Sequence, residues 1–340
     1  MNKGVLLSII LGMVIAFLFL SNLAVGSVSI PCDEVFSVLM GQGVPRDSWR
    51  YIILESRLPQ AITALLAGAS LSVSGLLLQT AFANPLAGPD VFGVSSGAGL
   101  AVAIVMLCMG GSIGMGNCSL SGFVAILGCA FVGAMAVMAI ICIFSMMVRN
   151  QVVLLIIGMM VGYLASSVIS LLNFFAAAEG VKSYMVWGMG SFGNVTMSQV
   201  PWMAALVSLG LLVAGLLLKP LNALLLGDSY AENLGFDVRR IRLFMLLTTG
   251  LLTAVSTAFC GPVAFIGLAT PHVARLLLVT SNHRQLLPVT LLMGAAIALL
   301  CNLLCSLPGE NGVLPLNAVT PLFGAPVIIY VLLKRRCLRH

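Results

Sequence analysis

"LFMLLTTGLLTAVSTAFCGPVAFIGLATPHVARLLLV", residues 243–279, runs for 37 residues with no charge before Arg275. A helix needs about 20 apolar residues to cross the hydrocarbon core of a bilayer, so the stretch is too long for one crossing. Cys260-Gly261-Pro262 interrupts it, and glycine and proline are the strongest local punctuators of a helix. Cut there, it becomes two crossings, and that division decides the topology of everything on either side.

The rest of the chain has the same character. It is 60% hydrophobic and 8% charged, with a mean hydropathy of +1.14. Soluble domains carry about 25% charged residues, so the composition describes a polytopic membrane protein. The expected fold is all-α and a single transmembrane domain over residues 1–340. Ten spans lie near 4–25, 57–82, 93–110, 119–147, 152–175, 199–218, 243–260, 262–279, 286–306 and 318–333. The first apolar run extends to about Val25 with no small-residue cleavage site, which reads as a retained span rather than a signal peptide. An even count puts both termini on one side. With that side cytoplasmic, Lys3, Arg149, Lys219, Arg239, Arg240, Arg242, Arg275, Arg284, Lys334, Arg335, Arg336 and Arg339 fall inside; only Arg46, Arg50, Arg57 and Lys182 fall outside. That is the positive-inside bias. A single span over 243–279 would send Arg284 and the basic tail outward, so ten spans fit better than nine.

Several spans carry small residues four apart, the spacing that lets helix backbones approach in lipid. Gly68, Ser72, Gly75 and Gln79 mark span two, and Gly93, Gly97 and Ala101 mark span three. Gly158, Gly162, Ser166 and Ser170 mark span five, whose stripe is polar enough to line a pathway as an alternative to packing. No expected span holds a buried Asp, Glu or Lys, which disfavours an ion-coupled carrier, the alternative transport class. Three polar interruptions stand out: the turn "FANPLAGPDVFG" (82–93), the outer segment 178–195, and the outer loop 31–59, where Asp33 and Glu34 open an interfacial helix.

Enzyme chemistry is absent. The four lysines follow Asn, Val, Leu and Leu, never Gly, so no phosphate-binding G-x-x-x-x-G-K-[ST] loop exists. His272, His283 and His340 stand apart from one another and from the carboxylates. His272 and Arg275, one turn apart, suit the inner end of span eight. Cys32, Cys108, Cys118, Cys129, Cys142, Cys260, Cys301, Cys305 and Cys337 form no C-x-x-C pair, and free cysteine behaves as a small apolar residue. Charge gathers instead in "LGDSYAENLGFDVRRIR" (226–242), which holds six of the 16 basic and 10 acidic residues. The segment falls on the cytoplasmic side, and its arginines anchor the start of span seven.

"RLPQAITALLAGASLSVSGLLLQTAFANPLAGPDVFGVSSGAG" (57–99) resembles the hallmark of the FecCD-type permeases. So do "WGMGSF" (187–192), "LGDSYAENLG" (226–235), "GPVAFIGLATPHVARLL" (261–277), "HRQLLP" (283–288) and "LPLNAVTPLFGAPVIIYVL" (314–332). The resemblance implies the membrane subunit of an ATP-driven importer for iron–siderophore complexes, haem or vitamin B12 in the bacterial cytoplasmic membrane. Implied partners are a second copy or close paralogue, two ATPase subunits and an extracytoplasmic binding protein, besides membrane lipid; no nucleic acid is implied. The chain itself would bind no cofactor, with ATP and Mg held by the ATPase. Within a cytoplasmic loop near 219–242, the family's coupling motif falls on Gly227, Asp228, Ala231, Glu232, Leu234, Gly235 and Phe236. Its cytoplasmic gate falls on Asn84, Pro85, Leu86, Asn150, Gln151 and Val152. The pathway lining would include Gly158, Gly162, Ser166 and Ser170. Arg57, with Arg50 and Lys182, is the expected contact for the binding protein. Three stretches depart from the family pattern near the outer mouth: "RLPQ" ends in Gln60 rather than Arg, "CNLLCSLPG" (301–309) has Asn302 where Asp is common and no Arg, and "VLPLN" (313–317) lacks both Glu and Gly.

Overall fold

The computed structural model describes residues 3–26, 28, 30–41, 46–108, 113–115, 118–120, 122–148, 150–307 and 312–337. Arg149, Pro308, Gly309, Arg339 and His340 lie outside them, as do the side chains of Cys32, Cys118, Gln151, Lys334, Arg335, Arg336 and Cys337. In chain order the helices are α1 (Lys3–Ala24), α2 (Cys32–Leu39), α3 (Asp47–Tyr51), α4 (Leu58–Ala81), α5 (Val94–Ala103), α6 (Gly122–Met147), α7 (Gln151–Phe175) and α8 (Ala178–Gly188). They continue as α9 (Val200–Leu216), α10 (Leu218–Leu224), α11 (Asp228–Asn233), α12 (Val238–Cys260), α13 (Ile266–Leu278), α14 (His283–Ser306) and α15 (Leu316–Cys337). Wider π-type turns extend α4 backwards over Ile52–Arg57 and α5 forwards over Ile104–Cys108. One small feature departs from the all-α expectation. β1 (Ile113–Met115) pairs antiparallel with β2 (Cys118–Leu120), because backbone groups in the glycine-containing link between α5 and α6 pair with each other when no helix takes them.

Each of the ten expected spans contains a helix, although residues 119–120 belong to β2 and 262–265 are not helical, and the helices are not equal. Six are long and apolar enough to cross a membrane: Lys3–Ala24, Asp47–Ala81, Val124–Met147, Val152–Phe175, Val238–Cys260 and His283–Ser306. The pair α9–α10, bent by 52° at Leu217, makes a seventh if taken as one. Val94–Cys108, Ile266–Leu278 and Leu316–Tyr330 are apolar but shorter. Two of these start late for a backbone reason. Gly93 holds φ +71 before α5, and Gly261 (φ +74) and Phe265 (φ +68) hold the link before α13 out of helical geometry.

α4 is the hub, packed against α14, α12, α13 and α9. Its most apolar window is 83% buried against 17% for α1, which makes α4 central and α1 peripheral. The small residues of span two account for this. Gly68 meets Gly294 backbone to backbone, and a Cβ at Gly75 would overlap the carbonyl of Gly267. Pro271, inside α13, has no N–H to offer the carbonyl four residues back, which is that of Gly267. The freed carbonyl is the surface on which Gly75 sits. Gly97 makes the same close approach to Gly133 of α6.

Candidate functional site

Residues 217–242 fold as two short helices braced by their own small core. α9 bends into α10, and Gly227 (φ +106) separates α10 from α11. α11 closes with Gly235 in the left-handed region (φ +83). Its N–H donates to Glu232 O (2.9 Å), and the Phe236 N–H donates to Ala231 O (3.1 Å). This is the Schellman arrangement, with the accompanying apolar contact between Phe236 and Ala231. Ala231 is fully buried with Ala223 and Val238, while Phe236 is half-buried. Of the expected coupling residues, these two hold the unit together from within. Asp228, Glu232 and Leu234 are turned outward, and Gly227 and Gly235 set its two bends.

The outward face is apolar. Leu225, Leu226, Tyr230 and Leu234 are all exposed. Leu226, Tyr230 and Leu234 line a cleft of about 450 Å³ with Lys219, Asn222, Ala223, Phe236, Asn282 and Arg284. The sequence reading missed Leu226, Tyr230 and this polar wall. The first two sit among the charges of the segment, where the contrast of exposed apolar side chains was a legible signal; the last two wall residues come from the start of α14 and could not be placed without the fold.

Behind this face, two struts reach the end of α4. Arg242 pairs with Asp228 (3.0 Å) and donates through Nε to the carbonyl of Ala81 (3.2 Å), the last residue of α4. Asn222 Oδ1 accepts from the His283 backbone N–H (2.8 Å) and lies 3.1 Å from His283 Nδ1; the other ring nitrogen is 3.0 Å from Thr80 Oγ1. Thr80 and Ala81 lead directly into the 82–93 segment. There Asn84 Oδ1 accepts from the Leu86 N–H (2.9 Å), His272 Nε2 lies 2.7 Å from the Pro85 carbonyl, and Arg275 donates to Gln79 (2.5 Å). Of the pair expected at the inner end of span eight, His272 holds this turn and Arg275 holds the end of α4 just before it. On the other expected gate half, Asn150 caps α7 by accepting from the Val152 N–H (2.9 Å), and Val152 is exposed.

The stripe of α7 divides in two, which corrects its reading as one lining. Gly158 and Gly162 are buried against Phe92 and Gly93, so they form a packing seam; Ser166 and Ser170 remain exposed. Arg57 is a second correction. It is 6% exposed, and its guanidinium donates to the carbonyls of Leu23 and Ala24 (2.8 Å each) and of Val28. It satisfies the orphan carbonyls at the end of α1 and is not displayed to a partner, whereas Arg50 and Lys182 are exposed. The departures near the outer mouth resolve into contacts. Gln60 donates to Asn302 (2.9 Å), which donates to Asn22 (2.7 Å), a neutral amide chain joining α4, α14 and α1. Asn317 accepts from the Ala264 N–H (3.1 Å) and donates to the carbonyls of Pro262 (2.7 Å) and Gly188 (3.1 Å). Among the described residues no group of His, Cys, Asp and Glu could hold a metal ion.

Comparison with known proteins places this arrangement. The sequence profile of the FecCD transport family matches residues 13–334. The vitamin B12 import system permease protein BtuC of Citrobacter koseri is 35% identical over 284 residues, 84% of this chain and 83% of that protein. The protein of the same name from Klebsiella pneumoniae is 34% identical over 300 residues, 87% and 88% of the two chains. A solved ABC transporter in an inward-facing conformation, assigned to the metal-chelate type, superposes with a TM-score of 0.81 at 26% identity, over 96% of this chain and 98% of that one.

Proposed function

Because the chain belongs to the FecCD transport family and is a multi-pass membrane permease of a bacterial ABC importer, not an enzyme, we propose the following assembly and cargo. Two copies, or one copy and a close paralogue, carry an iron–siderophore complex, haem or vitamin B12 inward across the cytoplasmic membrane. ATP, with Mg, is hydrolysed on two partner subunits, and an extracytoplasmic binding protein delivers the cargo. The chain crosses ten times with both termini cytoplasmic. The positive-inside distribution supports this, as do the three shorter apolar helices at positions where crossings are needed to keep it.

The observation that carries the reading is the α10–α11 unit. It exposes Leu226, Tyr230 and Leu234 over a cleft and is tied by buried or half-buried polar contacts to the end of α4. An exposed apolar cluster rimmed by polar groups marks an interaction site. The ATPase fits this one, since ATP binding must favour one permease state over another to do work. The struts to Thr80 and Ala81 then pass its position to the gate, formed by Asn84, Pro85 and Leu86 with Asn150, Gln151 and Val152. Ser166 and Ser170 line the pathway above it. Arg50 and Lys182 remain as binding-protein contacts.

Reconstitution tests this. Uptake into proteoliposomes of labelled cyanocobalamin, a labelled ferric siderophore or haem, each presented with the cognate binding protein, requires co-reconstituted ATPase subunits and ATP. Uptake by the chain alone under an ion gradient would overturn the assignment in favour of an ion-coupled carrier.

A further inference from the structure

A groove of about 370 Å³ lies between the first turns of α1 and α14, and neither the coupling scheme nor the gate uses it. Gly4, Val5, Ser8 and Ile9 of α1 wall one side, with Arg284 and Gln285 of α14 on the other. The two helices run parallel. Gly4 lies against Gln285 near their starts, and Asn22 donates to the carbonyl of Leu299 (3.0 Å) near their ends. α1 has 22 residues, a length of about 33 Å at the usual helical rise. It therefore just crosses a hydrocarbon layer about 30 Å thick and sets Lys3, its first residue, at one interface. Arg284, the second residue of α14, stands at the same level.

The groove is basic at its mouth and apolar along its length. Lys3 and Arg284 are both exposed, and neither enters an ion pair among the described residues. Ser8 and Gln285 add polar atoms between them. Below the mouth, Val5 and Ile9 are exposed, and Met13 continues them at the same four-residue spacing. An apolar track thus leads from the two cations down the flank of the peripheral helix α1. A soluble anion would use only the cations, and a zwitterionic lipid would gain chiefly from the track. A phospholipid with an anionic headgroup uses both, because basic side chains at the membrane surface attract such lipids. The groove is not the coupling cleft: among the described residues Arg284 alone lines both, as a wall between them.

We propose that this groove holds one anionic phospholipid of the phosphatidylglycerol type. Its phosphate sits between Lys3 and Arg284, and an acyl chain runs along Val5, Ile9 and Met13. That the lipid belongs to the cytoplasmic leaflet rests on the topology proposed above; the chemistry of the groove does not.

Native mass spectrometry tests the site. The full-length chain in neutral detergent is titrated with phosphatidylglycerol or with phosphatidylcholine of identical acyl chains. One phosphatidylglycerol per chain binds ahead of phosphatidylcholine. Lys3→Gln and Arg284→Gln each cut the preference about fivefold, the share of one basic residue near an anionic surface. Arg239→Gln, an equal loss of charge at the start of α12, leaves it unchanged. In proteoliposomes, phosphatidylglycerol with a photoreactive diazirine in its acyl chain labels peptides of α1 and α14. Ser8→Trp, which fills the groove and keeps both cations, removes that label. Should Ser8→Trp not insert, the position of the label and the contrast between Arg284→Gln and Arg239→Gln decide. An equal effect of Arg239→Gln would mean diffuse attraction and overturn the proposal, as would a label confined to other helices. Displacement of the lipid by millimolar inorganic phosphate would make this a free-anion site. Exclusion of the lipid by bound ATPase would give the groove to that subunit; both results also overturn the proposal. None of them touches the importer reading, which fails only in the ATP-dependent uptake assay.

Discussion

Arg57 and the Gln60–Asn302 pair show how a residue's neighbours settle its job. With Arg57 removed, the carbonyls of Leu23, Ala24 and Val28 lose their donor. An unsatisfied buried polar group costs about 1–3 kcal/mol. Arg57→Met should therefore lower the thermal midpoint of the purified chain by several degrees, with the affinity of the folded fraction for its binding protein unchanged. A loss of affinity at unchanged stability would return Arg57 to the docking surface. Gln60 and Asn302 should be coupled: single alanine variants and the double variant, compared by thermal or denaturant unfolding, should give an interaction energy in the range of about 0.5–3 kcal/mol found for contacting residues. Both partners could be named from the sequence as departures from the family pattern. That they answer each other could not, because 242 positions separate them.

At the scale of elements, close seams and the coupling unit make separate predictions. Gly75→Ala places a methyl into the Gly267 carbonyl, where backbone must move. Overpacking of this kind costs about 1–3 kcal/mol. Gly128→Ala, on α6 with open space around it, should be neutral or stabilising by up to about 1 kcal/mol through helix propensity. Thermal midpoints of the two variants check the contrast. On α11, Leu234→Asp should abolish co-purification of the ATPase while leaving membrane insertion intact. His283→Ala should keep the ATPase bound but lower transport per ATP hydrolysed at least tenfold, because it cuts the strut from Asn222 to Thr80. Equal losses of hydrolysis and transport would mean that His283 merely holds the helices together.

For the whole molecule, the expected unit is two permease chains with two ATPase subunits, and native mass spectrometry of the detergent-extracted complex should give that ratio. The exposed apolar face of α7, with Tyr163, Leu164, Leu171, Phe174 and Phe175, lies beside Ser166 and Ser170, where lipid or a second copy must cover it. A mass corresponding to one permease per ATPase pair would overturn the paired passage.

The sequence by itself determined the membrane class, the positions of the apolar helices and the place of the charged segment between them. These follow from apolar length, charge counting and local backbone chemistry, all of which act between residues near in sequence. Only the tertiary structure decided that three of those helices are short, that Gly158 and Gly162 pack while Ser166 and Ser170 stay open, and that Arg57 is buried. It alone laid 85–90 back along α13, with Pro85 at His272 and Pro89 at Gly267. Each of these depends on which backbone lies against which, and the partner surfaces come from helices far away along the chain.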